Sequence, residues 1–300
     1  MDRDVVKNVV SGVLVVDKPV GLTSHDVVQI IRRGTGIRRA GHTGTLDPRA
    51  SGVLVVLVGP AVRLSEYVSA TDKRYQATIR LGARSETFDA EGPVVESDMP
   101  VDVSEEQFND LLKGYEGTIQ QVPPPYSAVK VQGKKAYELA REGKEVELEP
   151  REIDVYNLEV LEWAPPEVVI DVYCSSGTYV RSLANDIGEA LEVGAHLVGL
   201  RRTKSGQFTL RDAISLRRLR DAFETGSWAQ HLIPAAEALS DWKTIELDGE
   251  QFETVKNGNP IPAESGDEGW ARALSPEGDL VALVEVDNDE WRPRKVFFTT

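Results

Sequence analysis

Hydrophobic positions along this chain fall into three patterns, and each predicts a different element. Unbroken aliphatic runs at Gly12-Val-Leu-Val-Val16 and Val53-Leu-Val-Val-Leu-Val58 predict buried strands. Alternation through Asp72-Lys-Arg-Tyr-Gln-Ala-Thr-Ile-Arg-Leu-Gly82 predicts a strand, and so does Glu167-Val-Val-Ile-Asp-Val-Tyr-Cys174. Helical spacing appears in three places. Val27, Val28, Ile30 and Ile31 follow a capping box at Thr23–Asp26 and stop at Gly34. Ser104 to Gln107 cap a second helix through Leu111 and Leu112 to Gly114. Val180, Leu183, Ala184, Ile187 and Leu191 mark a third. Leu64 to Val68 reads as a helical turn or two, and Thr87 to Gly92 as a turn. Composition shifts near residues 230–245. Beyond Thr244, short alternating runs at Ala271–Leu274, Leu280–Val286 and Val296–Phe298 predict a small all-β module of about sixty residues.

Between the first two aliphatic runs lies the stretch richest in chemistry, Arg39 to Gly52. It holds three glycines, two threonines, His42 and Asp47 within fourteen residues. Pro48 fixes the backbone just after Asp47 and disfavours helix at the aspartate itself. The expected result is a stiff loop that presents one carboxylate ahead of a buried strand. A second polar cluster, Gly177-Thr-Tyr-Val-Arg181, opens the third helix, with Tyr179 and Arg181 off its apolar face.

Charge alters this picture only when it is divided along the chain. The formal net charge is −15, which by itself argues against a nucleic-acid partner. Residues 1–90 hold thirteen Lys and Arg against nine Asp and Glu, and residues 171–220 hold eight against five. The two polar clusters therefore lie in locally positive segments of an acidic chain, where a field attracting phosphate can exist. Arg32, Arg33, Arg38 and Arg39 read either as solvated charge or as phosphate contacts. Tyr75, beside Lys73 and Arg74, reads either as core packing or as a base-stacking platform. The proline-stiffened, partly helical segment with Lys130, Lys134, Lys135, Arg141 and Lys144 reads either as a solvated face or as an arm gripping a polyanion. One cysteine and four scattered histidines argue against a disulfide framework and a zinc site. No apolar run reaches membrane-spanning length and no secretion signal opens the chain, so the expected location is cytoplasmic.

Five of these motifs occur in one order: Asp17-Lys-Pro-x-Gly-x-Thr-Ser, Gly41-His-Thr-Gly-Thr-Leu-Asp-Pro-x-Ala-x-Gly-x-Leu, Lys73-Arg-Tyr, Pro-Pro-x-Tyr-Ser-Ala-x-Lys130 and Gly177-Thr-Tyr-x-Arg-Ser. Together they resemble the TruB family of bacterial tRNA pseudouridine synthases, which act on the T-arm uridine at position 55. The resemblance implies an α+β fold: a mixed, mostly antiparallel sheet with flanking helices and a cleft across its middle. It implies a catalytic domain over residues 1–238, with an RNA-gripping arm at 120–150, and a small all-β PUA-like module over 239–300.

Carried over by position, Asp47 matches the catalytic aspartate and Arg181 its partner. Tyr75 is expected to act in catalysis and to stack on the flipped base. His42, Tyr179 and Leu200 match contacts to the displaced nucleotide; Lys130 is a further candidate contact to substrate, and Lys18 reads either as another or as packing around the aspartate loop. The isomerisation gains and loses no electrons overall, so neither cofactor nor metal is expected. The expected partner is the tRNA T-arm stem-loop, bound by a monomer without guide RNA or protein partner. Two other classes share parts of this pattern. A non-catalytic RNA binder would use the same cleft. A glycoside hydrolase would need a second carboxylate across the bond, and no motif supplies one beside Asp47.

Overall fold

The computed structural model describes residues 10–98, 100–131, 133–143 and 147–297. Lys144 of the expected arm, and the side chains of Lys135 and Arg141, lie outside the described residues. Eight strands form the spine of an eleven-stranded sheet: β1 (Gly12–Lys18), β2 (Ala50–Val58), β3 (Lys73–Leu81), β4 (Gly117–Gln121), β5 (Arg151–Ala164), β6 (Glu167–Cys174), β7 (Ala195–Ser205) and β8 (Ile214–Ser215). Their order across the sheet is β8-β1-β2-β7-β3-β6-β5-β4. Only β1/β8 and β2/β7 pair in parallel; the other neighbours are antiparallel. The fold is thus α+β with a mixed, mostly antiparallel sheet.

The aliphatic runs belong to strands covered on both faces. Leu14, Val16, Leu54 and Val56 pack into a core shared with helices α1 (Ser24–Thr35) and α3 (Val180–Ala190). Their neighbours Val13, Val15, Val53 and Val55 point the other way, into a core shared with Leu283, Trp242 and Trp270 of the C-terminal module. Period two supplies both cores from one strand, which is why these runs contain no polar alternation. β3 carries the alternation expected of it, with Tyr75, Ala77 and Ile79 buried and Arg74 and Gln76 exposed. Helix α2 (Glu105–Lys113) begins at the capping box of Ser104 and Gln107.

The C-terminal sheet is five-stranded, in the order Lys243–Glu246, Trp270–Leu274, Leu280–Asp287, Glu290–Val296, Ile261–Pro262. It meets the flank of the larger sheet through Tyr67 on the short helix Ser65–Ser69, whose ring lies 5.3 Å from Trp242 and 5.4 Å from Trp270. Lys295 Nζ also donates to the Arg63 carbonyl at 3.0 Å.

Several elements differ from expectation. Helix α1 runs one residue past Gly34 to Thr35, and Gly36 caps it in the left-handed region at φ 72°. Gly34 is kept because a Cβ there would strike the Phe223 ring at 2.1 Å. The module is not all-β: Gly249–Lys256 is a helix, capped by Asp248 and Gln251. Its last strand, Glu290–Val296, takes in the first residue of the predicted run Val296–Phe298, and Phe298 lies outside the described residues. The longest strand among the described residues, β5, and helix α4 (Leu216–Glu224) have no counterpart in the sequence reading. β5 has one exposed face and two register shifts against β6, which break its period-two signal.

Candidate active site

The catalytic-loop candidate is tied down at nearly every residue, because its backbone has no ladder of its own and must find partners elsewhere. Thr43 N–H donates to the Val55 carbonyl at 3.1 Å. The buried guanidinium of Arg202 donates to Gly44 O at 3.1 Å and to Val53 O at 2.7 Å. Ser24, in the first turn of α1, accepts from Leu46 N–H at 2.8 Å and donates to Leu46 O at 2.9 Å. Pro48 O accepts from Gly21 N–H at 2.8 Å and from the Lys18 ammonium at 3.4 Å. Gly52, at φ 99°, admits the close approach of β7: a Cβ there would lie 2.2 Å from Arg202 O. Asp47, the loop's one carboxylate, is left 40% exposed, between the exposed Thr45 and Arg49.

Arg181 meets it from the first turn of α3. Its Nε lies 3.1 Å from Asp47 Oδ2, and its Nη1 lies 3.4 Å from Asp89 Oδ2. Nη1 also donates to Thr87 O at 3.3 Å, and Nη2 to Tyr126 O at 3.1 Å. The guanidinium therefore ties α3 to three segments remote from it in sequence. Gln121 fixes the start of α3 by accepting from Tyr179 N–H at 2.8 Å and donating to Tyr179 O at 3.1 Å.

These groups open on a cleft of about 450 Å³. Asp47, Tyr75, Tyr179, Arg181 and Leu200 all line it, so the structure brings together five of the expected residues. Tyr75 is buried on β3, and burial pushes its phenol up, opposed by the Arg202 guanidinium.

The remaining three candidates fall elsewhere. His42 sits on the short strand Ala40–His42, opposite Val56, and is not in the cleft lining. Its pKa is lowered, mainly by burial and then by Arg202, so the ring is uncharged near neutrality. Its Nδ1 is buried without a hydrogen-bond partner among the described residues. Lys130 is exposed on the hairpin of Lys130–Val131 with Lys134–Lys135, also outside the lining. Lys18 is a correction. It is fully buried, and its ammonium donates to Pro19 O, Leu22 O and Pro48 O, leaving nothing for a substrate. Burial brings its pKa down to about 8, against the pull of Asp47.

The sequence analysis missed Asp89, Thr87, Glu91 and Tyr126, which line the same cleft. A second carboxylate therefore does stand near Asp47, contrary to expectation. It is not a free acid: Asp89 Oδ1 accepts from Thr87 Oγ1 at 2.6 Å and Glu91 N–H at 2.9 Å, while Oδ2 faces Arg181. The turn Thr87-Phe-Asp-Ala-Glu-Gly92 carried two acids as its visible signal. Its reach to the cleft depends on backbone bonds to β7, Leu197 N–H to Phe88 O at 3.0 Å and Ala90 N–H to Leu197 O at 3.1 Å.

Comparison with known proteins places this geometry in a class. The model of the TruB family pseudouridylate synthase N-terminal domain matches residues 32–180. The tRNA pseudouridylate synthase B C-terminal domain matches 181–240, and the tRNA pseudouridine synthase II C-terminal model matches 242–298. The chain belongs to the TruB family of pseudouridine synthases, which are isomerases. The tRNA pseudouridine synthase B of Symbiobacterium thermophilum is 46% identical over 252 residues, 83% of this chain and 82% of that one. That of Nitrosococcus oceani is 37% identical over 294 residues, 97% of this chain and 96% of its own. Among solved structures, a Cbf5–Nop10–Gar1 complex superimposes with TM-score 0.76 at 30% identity, covering 96% of this chain and 85% of that one. Among the described residues no helix is long and apolar enough to cross a membrane.

Proposed function

We propose that this protein converts the T-loop uridine at position 55 of tRNA to pseudouridine, with Asp47 as the catalytic carboxylate. The observation that carries the reading is the single outward-facing carboxylate on a loop stapled at Gly44, Leu46 and Pro48, met by Arg181 in a cleft of nucleoside size. The reaction breaks the bond from ribose C1′ to N1, turns the ring and joins C1′ to C5; C5 gives up its proton and N1 gains one. A carboxylate serves as nucleophile at C1′ or on the ring while the ring is loose. Either route needs its oxygen fixed relative to the sugar, and Arg181, itself held by Asp89 and two carbonyls, does the fixing.

The base must leave the T-loop stack to enter such a cleft. Tyr75 and Leu200, on adjacent strands β3 and β7, give the flipped ring apolar walls, and Tyr179 stands at the mouth of α3 to orient it. His42, outside the lining and uncharged, is suited to filling the space the nucleotide vacates. Lys130 is suited to meeting backbone phosphate. No guide RNA or protein partner enters this reading, and the chain acts as a monomer.

The test is incubation with unmodified tRNA transcript and mapping of pseudouridine at single-nucleotide resolution. Product at position 55, abolished by Asp47→Asn with RNA binding retained, is the expected result. Product at other positions only, or wild-type turnover by the asparagine variant, would refute it.

A further inference from the structure

A second hollow, about 680 Å³, lies on the other side of the catalytic loop. Lys18, Pro19 and Ser51 form its near wall, while Asp47 and Pro48 line the first cleft, so residues 47–51 separate the two. Its far wall belongs to α4, which contributes Arg217 and Arg220 together with Asp221 and Glu224. Arg218 stands beside them, and all three side chains are exposed. No hydrogen bond or ion pair engages any of the three guanidinium groups among the described residues, although Asp221 and Glu224 lie on the same helix.

Helix stability does not account for these arginines. Asp26 in α1, Glu105 and Glu106 in α2 and Glu250 in Gly249–Lys256 place acids in the first turn, where a helix favours negative charge. The first turn of α4 has no acid and carries Arg217 and Arg218 instead. The same is true of α3, and there the arginine, Arg181, faces the carboxylates of the active cleft. On a chain of net charge −15, three bare guanidinium groups beside the catalytic loop create a local field that selects for a polyanion. Their planar donor forks match phosphate oxygens two at a time.

We propose that α4 grips the ribose-phosphate backbone of the RNA whose nucleotide enters the cleft, through Arg217, Arg218 and Arg220. The inference rests on the RNA-substrate reading above. It assigns the acidic protein a local binding contact that net charge alone would deny it.

The experiment measures the Kd of labelled, unmodified tRNA across a range of salt concentrations, without turnover, for the full-length protein and R217Q/R218Q/R220Q. Each phosphate contact contributes about 0.7 to 0.9 to the slope of log Kd against log salt. The triple variant is therefore expected to lose about two units of slope, and R217K/R218K/R220K, which keeps the charge, to retain most of it. A control, R80Q/R84Q/K113Q, makes the same change in net charge at cations already paired with Glu96, Glu189 and Asp110. It is expected to leave the slope near that of the wild type. An unchanged slope in R217Q/R218Q/R220Q, or an equal loss in the control, overturns the proposal. The lysine variant refolding normally while losing the slope would also overturn it as an electrostatic contact. A wild type that binds tRNA but forms no pseudouridine would fail the functional reading, and the slope would still judge α4.

Discussion

Replacing Ser24 with alanine removes one oxygen from behind the catalytic loop. That oxygen is 2% exposed by residue and serves both backbone groups of Leu46, accepting at 2.8 Å and donating at 2.9 Å. Alanine suits helix α1 at least as well as serine, so the loss falls on the loop. Each buried polar group left without a partner costs about 1–3 kcal/mol. Two such groups give an expected loss of about 2–6 kcal/mol in folding stability, the lower end if the loop shifts to find new partners. That shift is what turnover would register, because Asp47 follows Leu46. A displacement near 1 Å lowers a rate about a hundredfold. Lys18, Gly21 and Arg202 still hold the loop, so a smaller movement and a loss of about ten- to thirtyfold in kcat are expected. Urea unfolding reads the stability, and tritium release from tRNA labelled at uridine C5 reads the rate. Wild-type kcat together with a stability loss under about 0.5 kcal/mol would refute the claim that Ser24 positions the aspartate.

Three further outcomes follow from the same geometry. Lys18→Met, which strips the donor from three carbonyls, should lower kcat and stability while leaving the Kd for tRNA unchanged; a weakened Kd with intact stability would restore the lysine as an RNA contact. Asp89→Asn should lower kcat by about tenfold or more, the scale of one charge-assisted hydrogen bond at about 1.5–3 kcal/mol, without moving Kd; unchanged single-turnover rates would show that Arg181 needs only Asp47. Glu91 has a raised pKa, through burial first and then through Asp89 and Asp47. The folded state therefore holds this proton more tightly than the unfolded chain, and stability falls as pH rises from the unfolded value through the folded one. Glu91→Gln should then be more stable than wild type at pH 7 and equal to it in acid, below both values; a gain that persists in acid would contradict this electrostatic cause.

Sequence alone determined the strands and helices whose signal is local. The capping boxes at Thr23 and Ser104 are satisfied by neighbours in the chain, and the unbroken aliphatic run of Val53–Val58 signals burial on both faces whatever covers it. The stiff loop around Asp47 was legible for the same reason. Only the tertiary structure decided what holds that loop, because its partners, Ser24, Arg202 and Lys18, come from three separate elements. Lys18 shows the limit plainly: its motif leaves an RNA contact and packing around the aspartate loop both open, and burial among three carbonyls decides for packing. Asp89 was hidden differently, as an ordinary turn residue whose carboxylate matters only because Leu197 hangs its loop beside Arg181. A residue's type and its neighbours fix what it can do. Which groups desolvate it and which charges face it depend on contacts distant in the chain, and those exist only after folding.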